Sequence, residues 1–125
     1  MNKRDERTVR AWNRLQRNWW AHGEIFRACE KQPRRAWRLL GRMADLATTA
    51  ELVEDLGAGP LEEFIRSHAP QFIRQIERRA AEHPRFRRAL RSVQLPRAQD
   101  AVSSRLFALG IEPVDIKPEK EWQTG

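Results

Sequence analysis

The sequence predicts an all-α protein, a compact bundle or short α-solenoid of about seven or eight short helices. Three observations carry this expectation. Strand signals are nearly absent: there is no Tyr, few β-branched residues, and no run that alternates apolar and polar positions. Apolar residues recur at three- and four-residue spacing along most of the chain. Pro33, Pro60, Pro70 and Pro84 each open such a segment. The first helical position suits proline, because the N–H it lacks has no intrahelical partner there.

The first helix is expected over Asp5–Trp19. Trp12, Leu15 and Trp19 share one face, and Arg7, Arg10, Arg14 and Arg17 recur at i, i+3, i+7 and i+10. At about 100° per residue the two sets lie nearly opposite each other. A second helix runs from Trp20 to Lys31 with Phe26 and Cys29 inward, weakened by Gly23. The third starts at Pro33, with Ala36, Trp37, Leu40, Met43, Ala44 and Ala47 inward and Arg35, Arg38 and Arg42 as its outer row. Thr48 or Thr49 caps the fourth, which buries Leu52, Val53 and Leu56 and carries Glu51 in its favourable first turn. Gly57-Ala58-Gly59-Pro60 then breaks the chain, with Gly57 as a C′ residue able to take positive φ.

The fifth helix, Pro60–Ser67, buries Leu61, Phe64 and Ile65, and the sixth, from Pro70, buries Phe72, Ile73, Ile76 and Ala80. The seventh, from Pro84, turns Phe86, Ala89, Leu90 and Val93 inward. The eighth lies between Pro96 and Gly110, with Val102, Leu106 and Leu109 inward. A single helical domain is therefore expected over 1–110. Residues 111–125, with Pro113 and Pro118, are expected to form an extended or disordered tail whose Trp122 can dock on the body or on a partner.

Composition narrows the function classes. At 125 residues the chain suits one domain with a modest core. No apolar run approaches the ~18–20 residues of a spanning helix, so no membrane role is expected. Five Trp and five Phe argue against a wholly disordered chain. The single cysteine, Cys29, excludes an internal disulfide framework and a cysteine-based zinc cluster. No apolar segment follows Met-Asn-Lys-Arg-Asp-Glu-Arg, so no secretory signal is expected and a bacterial-type cytoplasmic protein is the default.

The net charge is +7, with Arg outnumbering Lys twenty to four. A GC-rich genome explains that surplus without a function. Recognition of carboxylates or phosphates explains it with one. Charge is also segregated: residues 43–65 carry six acidic and no basic groups, between strongly basic flanks. Folding can pair the acidic middle with those flanks, which weakens the case for an external polyanion.

Gly57-Ala58-Gly59-Pro60-Leu61-Glu62-Glu63-Phe64-Ile65, followed by Phe72-Ile73 with Ile76-Glu77 and by Pro84-Arg85-Phe86-Arg87, resembles a family of small bacterial helical domains of unknown function. The stretch Pro33–Leu40 is similar to the family's upstream helix, and the resemblance covers about residues 20–109. It implies an all-α fold and no particular activity.

Catalytic constellations are not visible. His22, His68 and His83 are isolated, and there is no HExxH, CxxC, Walker loop or GxSxG. Gly57–Gly59 lacks the Lys and Ser/Thr of a phosphate loop, and Glu62 and Glu63 beside it would repel phosphate. Glu62 and Glu63 point about 100° apart and so cannot share a site, and Arg66 stands at i+4 from Glu62. Glu77 is expected to pair with an Arg of a neighbouring helix.

No enzyme, cofactor, metal or small-molecule substrate is therefore expected. The expected function is binding to an acidic protein surface, in the manner of an inhibitor, immunity or accessory factor. Arg7, Arg10, Arg14, Arg17, Arg35, Arg38 and Arg42 would meet its carboxylates, and Trp20 would anchor the contact. The alternative is a nucleic-acid-binding accessory protein that sets the same Arg rows on phosphates.

Overall fold

The computed structural model describes residues 1–13 and 19–115, except for the side chains of Trp19 and Trp20. The expectations for Arg14, Leu15, Arg17, the side chains of Trp19 and Trp20, and Trp122 fall outside the described residues. The fold is mostly helical, as the periodicity requires. In chain order it comprises α1 (Lys3–Asn13), α2 (Trp19–Lys31), α3 (Pro33–Leu46), α4 (Ala50–Leu56), α5 (Glu62–Glu82), α6 (Pro84–Leu90), β1 (Gln94–Pro96), α7 (Ala101–Ala108) and β2 (Glu112–Val114).

Local chemistry sets the helix starts. Asn2 Oδ1 accepts from the Asp5 amide at 2.7 Å at the head of α1. Pro33 opens α3 and Pro84 opens α6. Thr49 Oγ1 accepts from the Leu52 amide at 3.1 Å and caps α4. Asp100 caps α7, accepting from the Ser103 amide at 2.9 Å and its hydroxyl at 2.7 Å. Each cap satisfies an amide that the helix itself leaves unpaired.

Two expected breaks are not breaks. Gly57–Leu61 forms a π-helical turn that joins α4 to α5 in one helical run. Gly57 sits there at φ −65°, not in the left-handed region. Glycine is required for another reason: a Cβ at Gly57 would lie 2.0 Å from the Ala89 carbonyl oxygen and 2.9 Å from Ser92 Cβ. The bare backbone lets α6 close against the π turn. Pro70 likewise lies inside α5 rather than at a start. Its missing hydrogen bond falls on the exposed face, while Phe64, Ile65, Ala69, Phe72, Ile73 and Ile76 are buried and hold the helix together across it.

α3 is the central element and touches α1, α2, α4, α5 and α6. Its Leu39, Leu40 and Met43 are fully buried with Ile25 of α2, Leu56 of α4, Ile65 and Ile76 of α5, and Leu90 of α6. An aromatic cluster joins α3 to α5 and α6: Trp37 stands 5.7, 5.9 and 5.6 Å from the rings of Phe64, Phe72 and Phe86, and Phe64 stands 5.1 Å from Phe72. Such pairs add about 0.5–1.5 kcal/mol each beyond the area they bury.

The chain closes with a β1–α7–β2 unit whose two strands pair in parallel, Leu95 opposite Pro113. Three-residue strands are too short to show alternation, which is why the sequence carried no strand signal. Gly110 turns the chain after α7 at φ +109°, a conformation that favours glycine. Ile111, at the head of the stretch expected as a tail, is buried, and residues 112–114 run extended along β1. Arg105 ties α7 to α5, donating from Nε to Glu77 Oε2 at 3.0 Å and from Nη2 to Oε1, so the expected helix-to-helix pairing of Glu77 is present.

Candidate functional site

Three of the expected binding arginines, Arg10, Arg35 and Arg42, are answered by carboxylates of the same chain. Asp5, buried on α1, receives Arg35 Nε at 3.0 Å and Nη2 at 2.9 Å on its Oδ1. The same guanidinium donates to Glu24 Oε1 of α2 at 2.7 Å and to Gln32 Oε1 at 2.9 Å. Arg4 donates to Glu24 at 3.1 Å. Two turns along α3, Arg42 clasps Glu6, with Nε 3.1 and 3.0 Å from its two oxygens and Nη2 2.7 Å from Oε1. Arg10 reaches Glu6 at 3.2 Å from the i+4 position. These bonds lace α1, α2 and α3 together.

Their electrostatic signature is consistent. Hydrogen bonds from Arg42, with its charge and that of Arg10, hold the Glu6 carboxyl below the ordinary glutamate range. Burial pushes Glu24 up, but bonds from Arg35 and Arg4 outweigh it and the net shift is downward. The Asp5 bond raises the Arg35 guanidinium further, and the Glu6 bond does the same for Arg42.

Of the expected binding residues, Arg35, Arg42 and Arg10 are thus engaged within the chain. Arg7 is exposed on α1, lining a hollow with Lys3, Arg4 and Glu24. Arg38 is exposed on α3 and meets no carboxylate among the described residues. It lines a groove of about 570 Å³ between α3 and α5, with Arg34, Trp37, Gln71, Phe72 and Gln75. Arg34 also forms no ion pair among the described residues. Trp37 is half-buried: its ring packs on three phenylalanines while part of it faces the groove. The floor is therefore aromatic, one wall is cationic, and the other carries two primary amides one helical turn apart. Among the described residues no carboxylate lines it.

Helical periodicity turns Trp37 inward and assigns no role to Arg34, Gln71 or Gln75. A signal was available in the helical angles. At about 100° per residue Arg35 and Arg42 differ by only about 20°, and both turn towards α1. Arg38 lies about 60° round the helix from Arg35, and Arg34 about 40° beyond it, flanking Trp37 on the α5 side. The outer row was really two rows.

Other candidate groups are quiet. Cys29 is buried, its thiol pushed up to about 12 by burial with the Glu63 charge adding, and it donates to the Pro60 carbonyl at 3.5 Å. His68 Nε2 stands 2.6 Å from the Cys29 carbonyl oxygen, and His22 packs on Trp12 at 4.2 Å between ring centroids. Among the described residues no group of three His, Cys, Asp or Glu is placed to hold a metal ion, and no helix is long and apolar enough to cross a membrane.

These features define a mostly helical domain, built around α3 and closed by a parallel βαβ unit, that presents a cationic groove with an aromatic floor. The chain belongs to DUF6869, a family of unknown function, which it matches over residues 9–113. No curated protein and no solved structure matches it.

Proposed function

We propose that this is a non-catalytic binding protein that docks an acidic segment of a partner protein in the groove between α3 and α5. One observation carries the reading: among the described residues Arg34 and Arg38 meet no carboxylate, and they flank a half-exposed Trp37 in a lining that holds no acidic side chain. Guanidinium forks take carboxylates bidentately. A Trp edge supplies apolar contact that survives salt, and Trp and Arg are the side chains that carry most interface energy. Gln71 and Gln75 offer donors and acceptors to an extended peptide backbone. An inhibitor, immunity or accessory role fits such a domain by analogy of fold only.

The test is a titration of the isotopically labelled protein with an acidic peptide carrying one central Phe, followed by amide and indole resonances. Binding should shift Trp37, Gln71 and Gln75 and persist at about 0.3 M salt, where purely ionic contacts are screened. The double reversal Arg34→Glu/Arg38→Glu should weaken it at least about tenfold, the loss of roughly 1.4 kcal/mol. Binding that ignores the reversal, or shifts confined to other faces, overturns the reading. An oligonucleotide displaced by that same reversal would reassign the groove to phosphates.

A further inference from the structure

A second surface has different chemistry. Two hollows lie side by side along the seam of α1 and α2 and share Arg4 and Glu24. One, of about 460 Å³, adds Lys3 and Arg7. The other, of about 600 Å³, adds Gly23, Arg27, Lys31 and Arg35. Among the described residues six cationic side chains thus line the pair against one carboxylate, Glu24. That carboxylate is already covered: its side chain is 13% exposed and accepts from Arg4 and Arg35. Arg35 is in turn answered by Asp5 behind it. Lys3, Arg27 and Lys31 are exposed, and none forms an ion pair among the described residues.

Three features point to the kind of ligand. Among the described residues no aromatic or large apolar side chain lines either hollow, so the described lining offers no anchor of the type that dominates protein interfaces. Of the neutral polar groups, the Thr8 hydroxyl donates to the Arg4 carbonyl at 3.0 Å, and Gln32 Oε1 accepts from Arg35. A lining this rich in cations recognises charge first. Finally, Gly23 lies in α2 with nothing within 4 Å of where its Cβ would be. A helical glycine costs stability, and here no packing contact explains it. It leaves bare backbone on the floor of the larger hollow, open to close approach.

We infer that the α1–α2 seam binds the phosphate backbone of a nucleic acid without reading its sequence. Phosphates sit on either side of Glu24, at Lys3 and at Arg27–Lys31, and the strand passes closest at Gly23. The surface is separate from the α3–α5 groove, so either assignment can fail alone.

The experiment is fluorescence anisotropy of the full chain with labelled duplex and single-stranded oligonucleotides of unrelated sequences, across a salt series. With three phosphate contacts the log–log salt slope should be about −2.7 on duplex, and equal for all sequences. Arg27→Gln/Lys31→Gln should flatten that slope by about 1.8. Gly23→Leu, whose Cβ has nothing within 4 Å, should keep the melting temperature and lose at least about tenfold in affinity. Arg34→Glu/Arg38→Glu should leave oligonucleotide binding within about twofold. Absence of binding at low salt, binding indifferent to the Arg27/Lys31 and Gly23 variants, or equal displacement by polyglutamate each overturns the inference. If Gly23→Leu fails to fold, the slope of the Arg27/Lys31 variant still decides.

Discussion

Arg35→Ala should behave as a stability mutation and not as a loss of a surface contact. The guanidinium makes two charge-assisted bonds to Asp5 Oδ1, at 3.0 and 2.9 Å, and one to Glu24 at 2.7 Å. The Asp5 side chain is 3% exposed and that of Arg35 23%. Removing one member of a buried pair costs about 3–5 kcal/mol, because the other charge is left without solvent or partner. The partial exposure of Arg35 places this case near the lower end, about 3 kcal/mol. For a domain of this size that lowers the melting temperature by roughly 10 °C or more. Urea unfolding followed by far-ultraviolet circular dichroism measures it. In a double-mutant cycle with Asp5→Asn, which removes the stranded charge, the double variant should recover at least about 1 kcal/mol of the summed losses. A cost under about 1 kcal/mol, the scale of an exposed pair, or simple additivity would refute the reasoning.

Gly57→Ala should destabilise by about 2–3 kcal/mol, since the new methyl meets a backbone carbonyl that cannot swing aside; thermal melting reads this, and a neutral result contradicts the close packing of α6 on the π turn. Glu6, Glu24 and Glu77 have folded-state pKa values lowered from the ordinary 4.5, so they bind protons more readily when unfolded. Their contribution is complete above that pH and is lost as pH falls through it, with Asp100 following below 3.8. A melting temperature that rises between pH 5 and about 3 contradicts this linkage. Cys29, with its thiol pushed to about 12 and buried, should label with iodoacetamide only at the rate of opening, and fully in urea. Prompt labelling of the native protein would show the thiol to be accessible.

Much of the helical frame was legible because local rules agree with it. Pro33 and Pro84 open helices, Thr49 caps one, and Arg66 stands 3.6 Å from Glu62 one turn away. The sequence misled where a long-range contact decides. Pro70 reads as a start, yet buried residues on both sides carry α5 through it. Gly57 reads as a positive-φ stop, yet what it answers is a carbonyl 32 positions away, at Ala89. The Arg rows were visible, but not their fate. Periodicity places a side chain on a face and says nothing of which element covers that face. Helical angles set Arg35 and Arg42 apart from Arg38, but only the packing of α1 on α3 decides which of the two rows is answered by carboxylates.

The π turn makes the groove a matter of counting. An α-helix advances about 100° per residue, so deleting one residue within 57–61 would rotate everything after it by that angle relative to α4. Phe64 and Phe72 would swing out of the aromatic cluster, and Gln71 and Gln75 would leave the wall that faces Arg34 and Arg38. The segment between Arg97 and the cap Asp100, exposed between β1 and α7, carries no such phase and can absorb extra residues. Length variation should therefore be tolerated there and selected against at Gly57–Leu61, whatever residues fill the two stretches.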